Sequence, residues 1–337
     1  MTLNAIDENR LLGVWRNMRR SPAQLNALHE ADAELVPIGN DQILATTIDT
    51  VDEEIAAGLY PDAETAGWVA AAASLSDLAA VGATPVGLVA SVLAPAPDTA
   101  AWLAGVARGL DGAAAEAGTY VLGGDTGRAA GASSVTVCAQ GLVARESVLA
   151  RVGMLPGDEL YASAPLGDGA VWAAQQLLRL PLGVEAFRPS CRAPFCSSVR
   201  THLSAAMDTS DGLIATLDQL ARINEVGVDL MAPLGAVLSP AALKLSQGAG
   251  VSPLTLLAVF HGEFELVVAV PRRHRDAFEA ASGNQGHRPV YLGHVRSEPG
   301  VSADGRALDT AAIRNASAIA AVDPAAYLQA LTALTTS

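Results

Sequence analysis

A run of mostly apolar residues between Ala66 and Pro85 dominates the hydrophobic pattern of the chain. Its apolar positions recur at helical spacing and are mostly Ala and Leu, so the run predicts a helix that is largely buried. Gly82 and Pro85 are typical of a helix end and place the last helical residue near Val81. The acidic residue Asp77 lies inside this run. Because an unpaired buried charge is strongly unfavourable, Asp77 needs a basic side chain, backbone N–H groups or a metal ion as its partner.

The segments around this helix predict a mixed sheet. Apolar runs predict strands at 34–37, 42–48, 86–93, 120–122 and 135–143, and a helix at 98–117 that begins at Asp98. Residues 7–28 alternate charged and apolar positions and predict a peripheral helix. The order strand, strand, helix, strand, helix, strand, strand is typical of an α+β sheet with helices on one side.

A turn at Pro156-Gly157-Asp158 separates this part from a second α+β part of similar size. Strands are predicted there at 159–163, 226–230, 264–270 and 290–295, and an amphipathic helix begins after Ser210-Asp211-Gly212. We therefore predict two domains, residues 1–148 and residues 149–337.

Composition and charge narrow the possible functions. The chain has 337 residues, of which 50% are hydrophobic and 17% charged, a profile typical of a globular protein. Its formal net charge is -14, and a surface that acidic repels phosphate backbones, so we expect no nucleic-acid partner. A nucleotide bound as its magnesium complex remains compatible with this charge.

The cysteines and the lengths of the apolar runs indicate the cellular compartment. Cys138, Cys191 and Cys196 lack metal-binding spacing, and we interpret them as free thiols in a reducing environment. The N-terminal residues lack the apolar run of a signal peptide, and no stretch reaches the roughly 18 apolar residues of a membrane span. These features predict a cytoplasmic protein without a membrane partner.

Several carboxylates lie where the chain changes direction beside glycine or at the end of an apolar strand. Singly, each is typical of a turn or a helix cap, and for Asp168 and Asp211 that interpretation is the more frequent one. Together they need neutralising, and no lysine precedes Lys244. Hard divalent cations such as Mg²⁺ are the natural partners, and they commonly accompany phosphates. The residues are Asp32, Asp49, Asp77, Asp125, Asp168, Asp208, Asp211 and Glu263.

The segment Gly123-Gly124-Asp125-Thr126-Gly127 is predicted to be a loop. Its glycines would let backbone N–H groups approach a phosphate closely. It is not a Walker loop, because it lacks the G-K-S/T ending. Taken by its pattern alone, such a segment is a tight turn more often than a phosphate site.

Four motifs in this order resemble the aminoimidazole ribonucleotide (AIR) synthase-like superfamily. They are LSDLAAVGATP (75–85), GGDTGR (123–128), LGDGA (166–170) and AMDTSDGL (206–213). Within it the chain is most similar to the thiamine-monophosphate kinase family. The resemblance spans about residues 30–295. It implies a two-domain AIR synthase-like fold, in which the N-terminal mixed sheet forms a barrel across a homodimer and the C-terminal domain is sandwich-like.

The resemblance also implies ATP and Mg²⁺ as cofactors and assigns residues to them. Metal ligands would be Asp32, Asp49, Asp77, Asp125, Asp208 and Asp211. Nucleotide contacts would come from Gly123, Gly124, Thr126, Asp168 and Ser210. Asp125, Asp211 and Arg128 would act in catalysis, with Arg128 neutralising the transferred phosphoryl group.

The chain departs from the family pattern at several positions. One of two adjacent aspartates is missing beside Asp32, and the segment 48–57 lacks the usual histidine. A lysine and an asparagine of the central helix are replaced by Val69 and Ser74, and Glu263 stands where the family motif usually has an aspartate. Nucleotide binding is therefore better supported than thiamine monophosphate as the substrate.

The leading hypothesis is an ATP- and Mg²⁺-dependent phosphotransferase acting on a small phosphorylated metabolite. One alternative is a synthase or ligase that phosphorylates an amide or carboxylate oxygen, and another is a relative that binds nucleotide without transfer. His261 is the one histidine inside a motif, and it is open to two interpretations, a turn residue or an acceptor contact.

Overall fold

The computed structural model describes residues 2–95, 99–320 and 322–336, and its strands form two sheets. The strands are β1 Glu34–Gly39, β2 Gln42–Thr50, β3 Thr84–Pro95, β4 Val121–Ala129, β5 Ser134–Ala144, β6 Glu159–Ala162, β7 Ala205–Asp208, β8 Gly227–Leu230, β9 Leu266–Val270, β10 Val290–Arg296, β11 Gly300–Ala303 and β12 Arg306–Ala307. The first sheet has the order β1-β2-β5-β3-β4, and the second has the order β12-β11-β8-β10-β6-β9-β7. The predicted mixed α+β class is therefore confirmed.

Helices pack against both sheets. They are α1 Asp7–Leu12, α2 Asp52–Ala57, α3 Ala63–Ala80, α4 Thr99–Glu116, α5 Asp168–Leu177, α6 Ala193–Val199, α7 Leu213–Ile223, α8 Leu234–Val237, α9 Pro240–Ala249, α10 Pro253–Leu257, α11 Arg275–Asn284, α12 Thr310–Asn315, α13 Ser317–Ala320 and α14 Pro324–Thr336. None of them, over the described part of the chain, has the length and apolar character needed to span a bilayer.

The first sheet is mixed because one of its connections crosses over. Strands β1, β2, β5 and β3 pair antiparallel, whereas β4 pairs parallel to β3 through the connecting helix α4. Helices α3 and α4 pack against each other, and α3 lies on β2 and β5. The predicted element order of this region is confirmed. Asp98, the expected first residue of α4, lies outside the described residues.

Helix α3 matches the prediction from its apolar run. It is buried along almost its whole length and ends at Ala80, followed by Gly82 at φ 75°. Residues of the second sheet region contribute to the same hydrophobic core, including Trp172, Phe187 and Phe264. Helix α3 also contacts β7 and α6, so its acidic residue lies between the two sheets.

Two local predictions were wrong. The predicted loop from Gly123 to Gly127 is part of strand β4, because pairing with β3 over Val89–Pro95 outweighs the turn-forming composition. The predicted peripheral helix stops at Leu12 and continues only as a 3₁₀ turn over Gly13–Asn17.

Candidate nucleotide and metal site

Three carboxylates from distant parts of the sequence meet between the two sheets. Asp32 precedes β1, Asp77 lies on α3 and Asp208 ends β7. Each offers an oxygen atom within 4.8 Å of the other two. Oxygen ligands at this spacing suit a hard divalent cation such as Mg²⁺. The donor set therefore fits the metal that the sequence predicted.

Hydroxyl groups orient these carboxylates. Asp77 accepts a hydrogen bond from Thr47 on the neighbouring strand β2. Asp208 accepts from Ser76 and, over 3.1 Å, from the hydroxyl of Ser210. Hydroxyl donors fix the position of a carboxylate without adding a competing positive charge. These hydroxyl groups therefore hold Asp77 and Asp208 in place without supplying a counter-charge.

A fourth carboxylate, Asp49, lies beside this cluster. Its Oδ2 accepts from Ser74 Oγ over 3.1 Å, and Ser74 also donates to the carbonyl of Val137 on β5. Serine at this position thus connects α3 to the sheet and orients Asp49. Asp49 and Asp77 face the same cavity.

These carboxylates lie close together in a buried site, and this raises their pKa values. Burial and the charges of Asp49 and Asp208 raise the pKa of Asp77 well above its usual value. Burial and the charge of Asp32 raise the pKa of Asp208 to about 7. Burial also raises the pKa of Asp49. A divalent cation among these groups would relieve the repulsion that keeps a proton on them.

One cation, Arg151, counters the cluster, and no sequence pattern pointed to it. Its Nη2 lies 2.8 Å from Asp32 Oδ1, and the side chain of Asp32 is fully buried. Among the described residues, Nε of Arg151 and Oδ2 of Asp32 are buried without a hydrogen-bond partner. Nε of Arg151 is therefore available to donate to a phosphate oxygen, and Oδ2 of Asp32 is available to bind a metal ion. Arg151 belongs to no motif, and its position after the first sheet gave no signal.

Asp77 and Asp208 of the cluster, with Asp49, line a cavity of about 300 Å³ that we call the acidic pocket. Its wall includes Asp49, Asp77, Asp208, Asp211, Arg151 and His29. The N-terminal helix α1 closes one side with Glu8 and Asn9. Burial and the charge of Glu8 raise the pKa of Asp211 to about 7. Asp211 and Ser210, predicted from the Ser-Asp-Gly motif, thus face the same cavity as the cluster.

A second, apolar cavity of about 470 Å³ adjoins the acidic pocket, and we call it the apolar chamber. Helices α5, α9, α10 and α14 form its walls through Ala173, Leu177, Leu245, Leu256, Tyr327 and Leu328. The two cavities share four lining residues, Glu54, Ser210, Asp211 and His261. A molecule could therefore extend from the chamber into the pocket past these residues.

Other predicted site residues lie elsewhere in this chain. Asp125, Thr126 and Arg128 are exposed on the edge strand β4, together with Gly123 and Gly124, and none of them lines the acidic pocket. A Cβ at Gly124 would come within 1.9 Å of the carbonyl oxygen of Ala90, so glycine is needed there for strand packing. The structure does not bring these residues to the carboxylate cluster of the same chain.

Asp168 and Glu263 make structural contacts instead. Asp168, the first residue of α5, accepts a hydrogen bond from Ser239 at the start of α9 and lines neither cavity. Glu263 accepts from the backbone N–H groups of Gly167 and Gly169, over 2.7 and 3.2 Å, at the N-terminus of α5. Asp168 therefore makes a helix-packing contact here, and its nucleotide contact stays a prediction.

Relatives of known sequence agree with the motif resemblance. Residues 30–143 match the family model of the AIR synthase related protein, N-terminal domain. The thiamine-monophosphate kinase of Halobacterium salinarum is 32% identical over 247 residues, which cover 72% of this chain and 81% of that protein. The thiamine-monophosphate kinase of Escherichia coli K12 is 32% identical over 281 residues, covering 79% of this chain and 83% of that protein.

Solved structures show the same fold. AaThiL complexed with AMPPCP and TMP superposes with a TM-score of 0.76 at 20% sequence identity, covering 92% of this chain and 96% of that chain. The predicted AIR synthase-like resemblance is confirmed by these findings. The chain belongs to the thiamine-monophosphate kinase family of AIR synthase-related proteins.

Proposed function

We propose that this protein is an ATP- and Mg²⁺-dependent kinase that transfers the γ-phosphoryl group of ATP to thiamine monophosphate, giving thiamine diphosphate and ADP. The observation that carries this proposal is the junction of an acidic, metal-suited pocket with an apolar chamber. The relatives named thiamine-monophosphate kinase support the substrate assignment.

The acidic pocket is the proposed nucleotide side. Asp32, Asp77 and Asp208 would hold Mg²⁺, with Asp49 and Asp211 available to further ions. Bound Mg²⁺ would neutralise the charge of the phosphates. Arg151 adds a fixed cation beside Asp32, and its unpartnered Nε would donate to a phosphate oxygen. Positioning and charge neutralisation are the main needs of phosphoryl transfer, since little covalent work falls to the protein.

The apolar chamber is the proposed acceptor side. Thiamine monophosphate has an aromatic, cationic body and a phosphate end. Apolar walls suit the body, and the carboxylates of Glu53 and Glu54 in the chamber's lining suit its positive charge. The phosphate end would point toward Ser210 and Asp211, where the acidic pocket begins.

We further propose a homodimer formed through the first sheet. Helices α3 and α4 pack together on this sheet's side of the core, while large apolar residues are exposed along β2, β3 and β4. Ile48 and Val89, 68% and 42% exposed, both lie opposite Cys138 on the central strand β5. Such an apolar face is typical of a protein interface, and sheets from two copies would form the proposed barrel.

The dimer gives the residues of β4 a place in the proposal. Asp125 and Arg128 are exposed on the edge of this sheet. We propose that they contact the nucleotide phosphates or a metal ion in a groove beside the dimer interface, with Gly123, Gly124 and Thr126 nearby. The proposed domains are residues 1–148, which would bind ATP and dimerise, and a sandwich-like domain over residues 149–337.

The test is ADP release from Mg-ATP with and without thiamine monophosphate. We expect acceptor-dependent release, and we expect Asp77→Asn to abolish it because a ligand of the cluster is lost. Asp229→Asn is the matched control, since Asp229 pairs with Arg296 in the second sheet, away from both cavities. Nucleotide binding without any release would contradict the proposal and favour a non-catalytic relative.

A further inference from the structure

His261 lies at the junction of the two cavities and lines both of them. Its side chain is packed between two aromatic rings, with ring centroids 5.8 Å from Tyr60 and 5.2 Å from Phe187. The residue is 7% exposed. The imidazole is therefore held by packing at one place in the wall.

The backbone next to His261 is fixed as well. The N–H of Gly262 donates to the carbonyl of Ser210 over 2.9 Å. A Cβ at position 262 would come within 1.5 Å of the carbonyl oxygen of Thr209, so only glycine permits this approach. His261 is thus held directly against the Ser210-Asp211 turn.

The Nε2 atom of His261 is buried and has no hydrogen-bond partner among the described residues. A buried polar atom without a partner is costly unless a ligand satisfies it. Burial lowers the pKa of His261 to about 4, so its imidazole is neutral at neutral pH. A neutral imidazole with a proton on Nε2 is a single directed donor.

The other residues shared by the two cavities cannot serve a phosphate in this way. Glu54 and Asp211 are acidic, and as carboxylates they repel a phosphate oxygen. The hydroxyl of Ser210 already donates to Asp208 Oδ1 over 3.1 Å. The Nε2 position of His261 is therefore the free side-chain donor at this junction among the described residues.

We propose that His261 Nε2–H donates a hydrogen bond to the phosphate group of the acceptor and positions it for transfer. This inference rests on the proposed function. One oxygen of the acceptor phosphate attacks the γ-phosphorus of ATP, the bond from that phosphorus to the β,γ-bridging oxygen breaks, and ADP leaves with the electron pair. His261 binds an oxygen that does not attack, and it neither gives nor takes a proton. It fixes the acceptor and determines specificity for a phosphorylated molecule.

Nitrogen NMR of the histidine side chains tests this contact directly. The His261 signals are assigned by their loss in His261→Gln, and the full-length protein with Mg-ADP is titrated with thiamine monophosphate, inorganic phosphate or thiamine. We expect both phosphate compounds to shift the Nε2 signal of His261 and thiamine to leave it unchanged. A shift with inorganic phosphate and none with thiamine monophosphate would uphold the contact and contradict the proposed acceptor. No shift with either compound would overturn the inference.

Kinetics give the second readout. His261→Phe keeps an aromatic ring and removes the donor, so we expect KM for the acceptor to rise about 10- to 100-fold, as for a lost hydrogen bond to a charged group. KM for ATP should change less than about twofold, because ATP lies on the other side of the junction. His261→Gln, which retains an N–H donor, should recover part of the loss. Equal increases in both KM values would show a structural role only and would overturn the inference.

Discussion

Arg151 Nη2 lies 2.8 Å from Asp32 Oδ1, and this ion pair sits inside a cluster of carboxylates between the two sheets. The side chain of Asp32 is fully buried, and that of Arg151 is 19% exposed. The pair thus brings one positive charge into the acidic pocket before any ligand arrives. Its removal would leave Asp32, Asp77 and Asp208 with no cation paired to them among the described residues.

The first prediction is that Arg151→Met destabilises the metal-free protein and weakens ATP binding. Breaking a buried pair by removing one partner costs about 3 kcal/mol, because the other charge stays buried. Urea unfolding measures this loss, and Mg²⁺ should restore part of it by neutralising the carboxylates. Arg275→Met is the control, since this half-exposed arginine pairs with Glu159 and Glu279 in solvent-screened contacts, and its loss should destabilise the protein clearly less. Equal losses in both variants would contradict the prediction.

The second prediction concerns pH and metal removal. Burial and neighbouring charge raise the pKa of Asp208 to about 7 from 3.8, so between these values the folded state binds more protons than the unfolded state. Stability of the metal-free protein should therefore fall as pH rises through this range. Mg²⁺ should flatten the fall, because the cation replaces the proton in stabilising the cluster.

Asp208→Asn separates this group from the others that titrate. The amide carries no charge, so the metal-free variant should be more stable than the wild type at about pH 8 and should lose part of the pH dependence. Urea unfolding in a chelator at several pH values measures both effects. An unchanged slope in Asp208→Asn would show that Asp208 does not cause the dependence.

The sequence predicted helix α3 well, because local composition determines it. Its Ala- and Leu-rich run and the glycine at position 82 indicate a buried helix with a defined end, as observed. The need of Asp77 for a partner followed from the same run. The identity of its partners did not, because Thr47 and Asp208 are brought to it only by the tertiary fold.

Two features could not be predicted from local sequence patterns. The Gly-Gly-Asp-Thr-Gly segment has the composition of a turn, and only its pairing with β3 makes it a strand. Arg151 is a single arginine in an irregular segment, with no periodicity or motif to single it out. Both cases depend on contacts between residues far apart in the sequence, which a single sequence does not display.

The third prediction is that Glu263 acts in folding rather than in metal binding. Its carboxylate accepts from the N–H groups of Gly167 and Gly169 and thereby caps helix α5. Glu263→Ala should cost about 1–2 kcal/mol of stability, as expected for a lost cap. Glu263→Gln retains an accepting oxygen and should cost less. Thermal unfolding measures both, and a loss of Mg²⁺ affinity in Glu263→Gln without a change in stability would contradict the structural role.

The fourth prediction tests the proposed dimer through the exposed face of the first sheet. Val89 on β3 is 42% exposed and pairs with Cys138 on β5, and Ile48 on β2 pairs with the same Cys138 from the opposite side. Val89→Arg would place a charge inside an apolar interface, where its desolvation is not compensated. We expect the mass in solution, measured by light scattering, to fall from two chains to one while the unfolding temperature of the separated chain remains similar.

Met231→Arg, at a 61% exposed residue outside this face, should leave the mass unchanged. A wild-type protein that is already monomeric would refute the dimer, whereas a dimer that survives Val89→Arg would place the interface elsewhere.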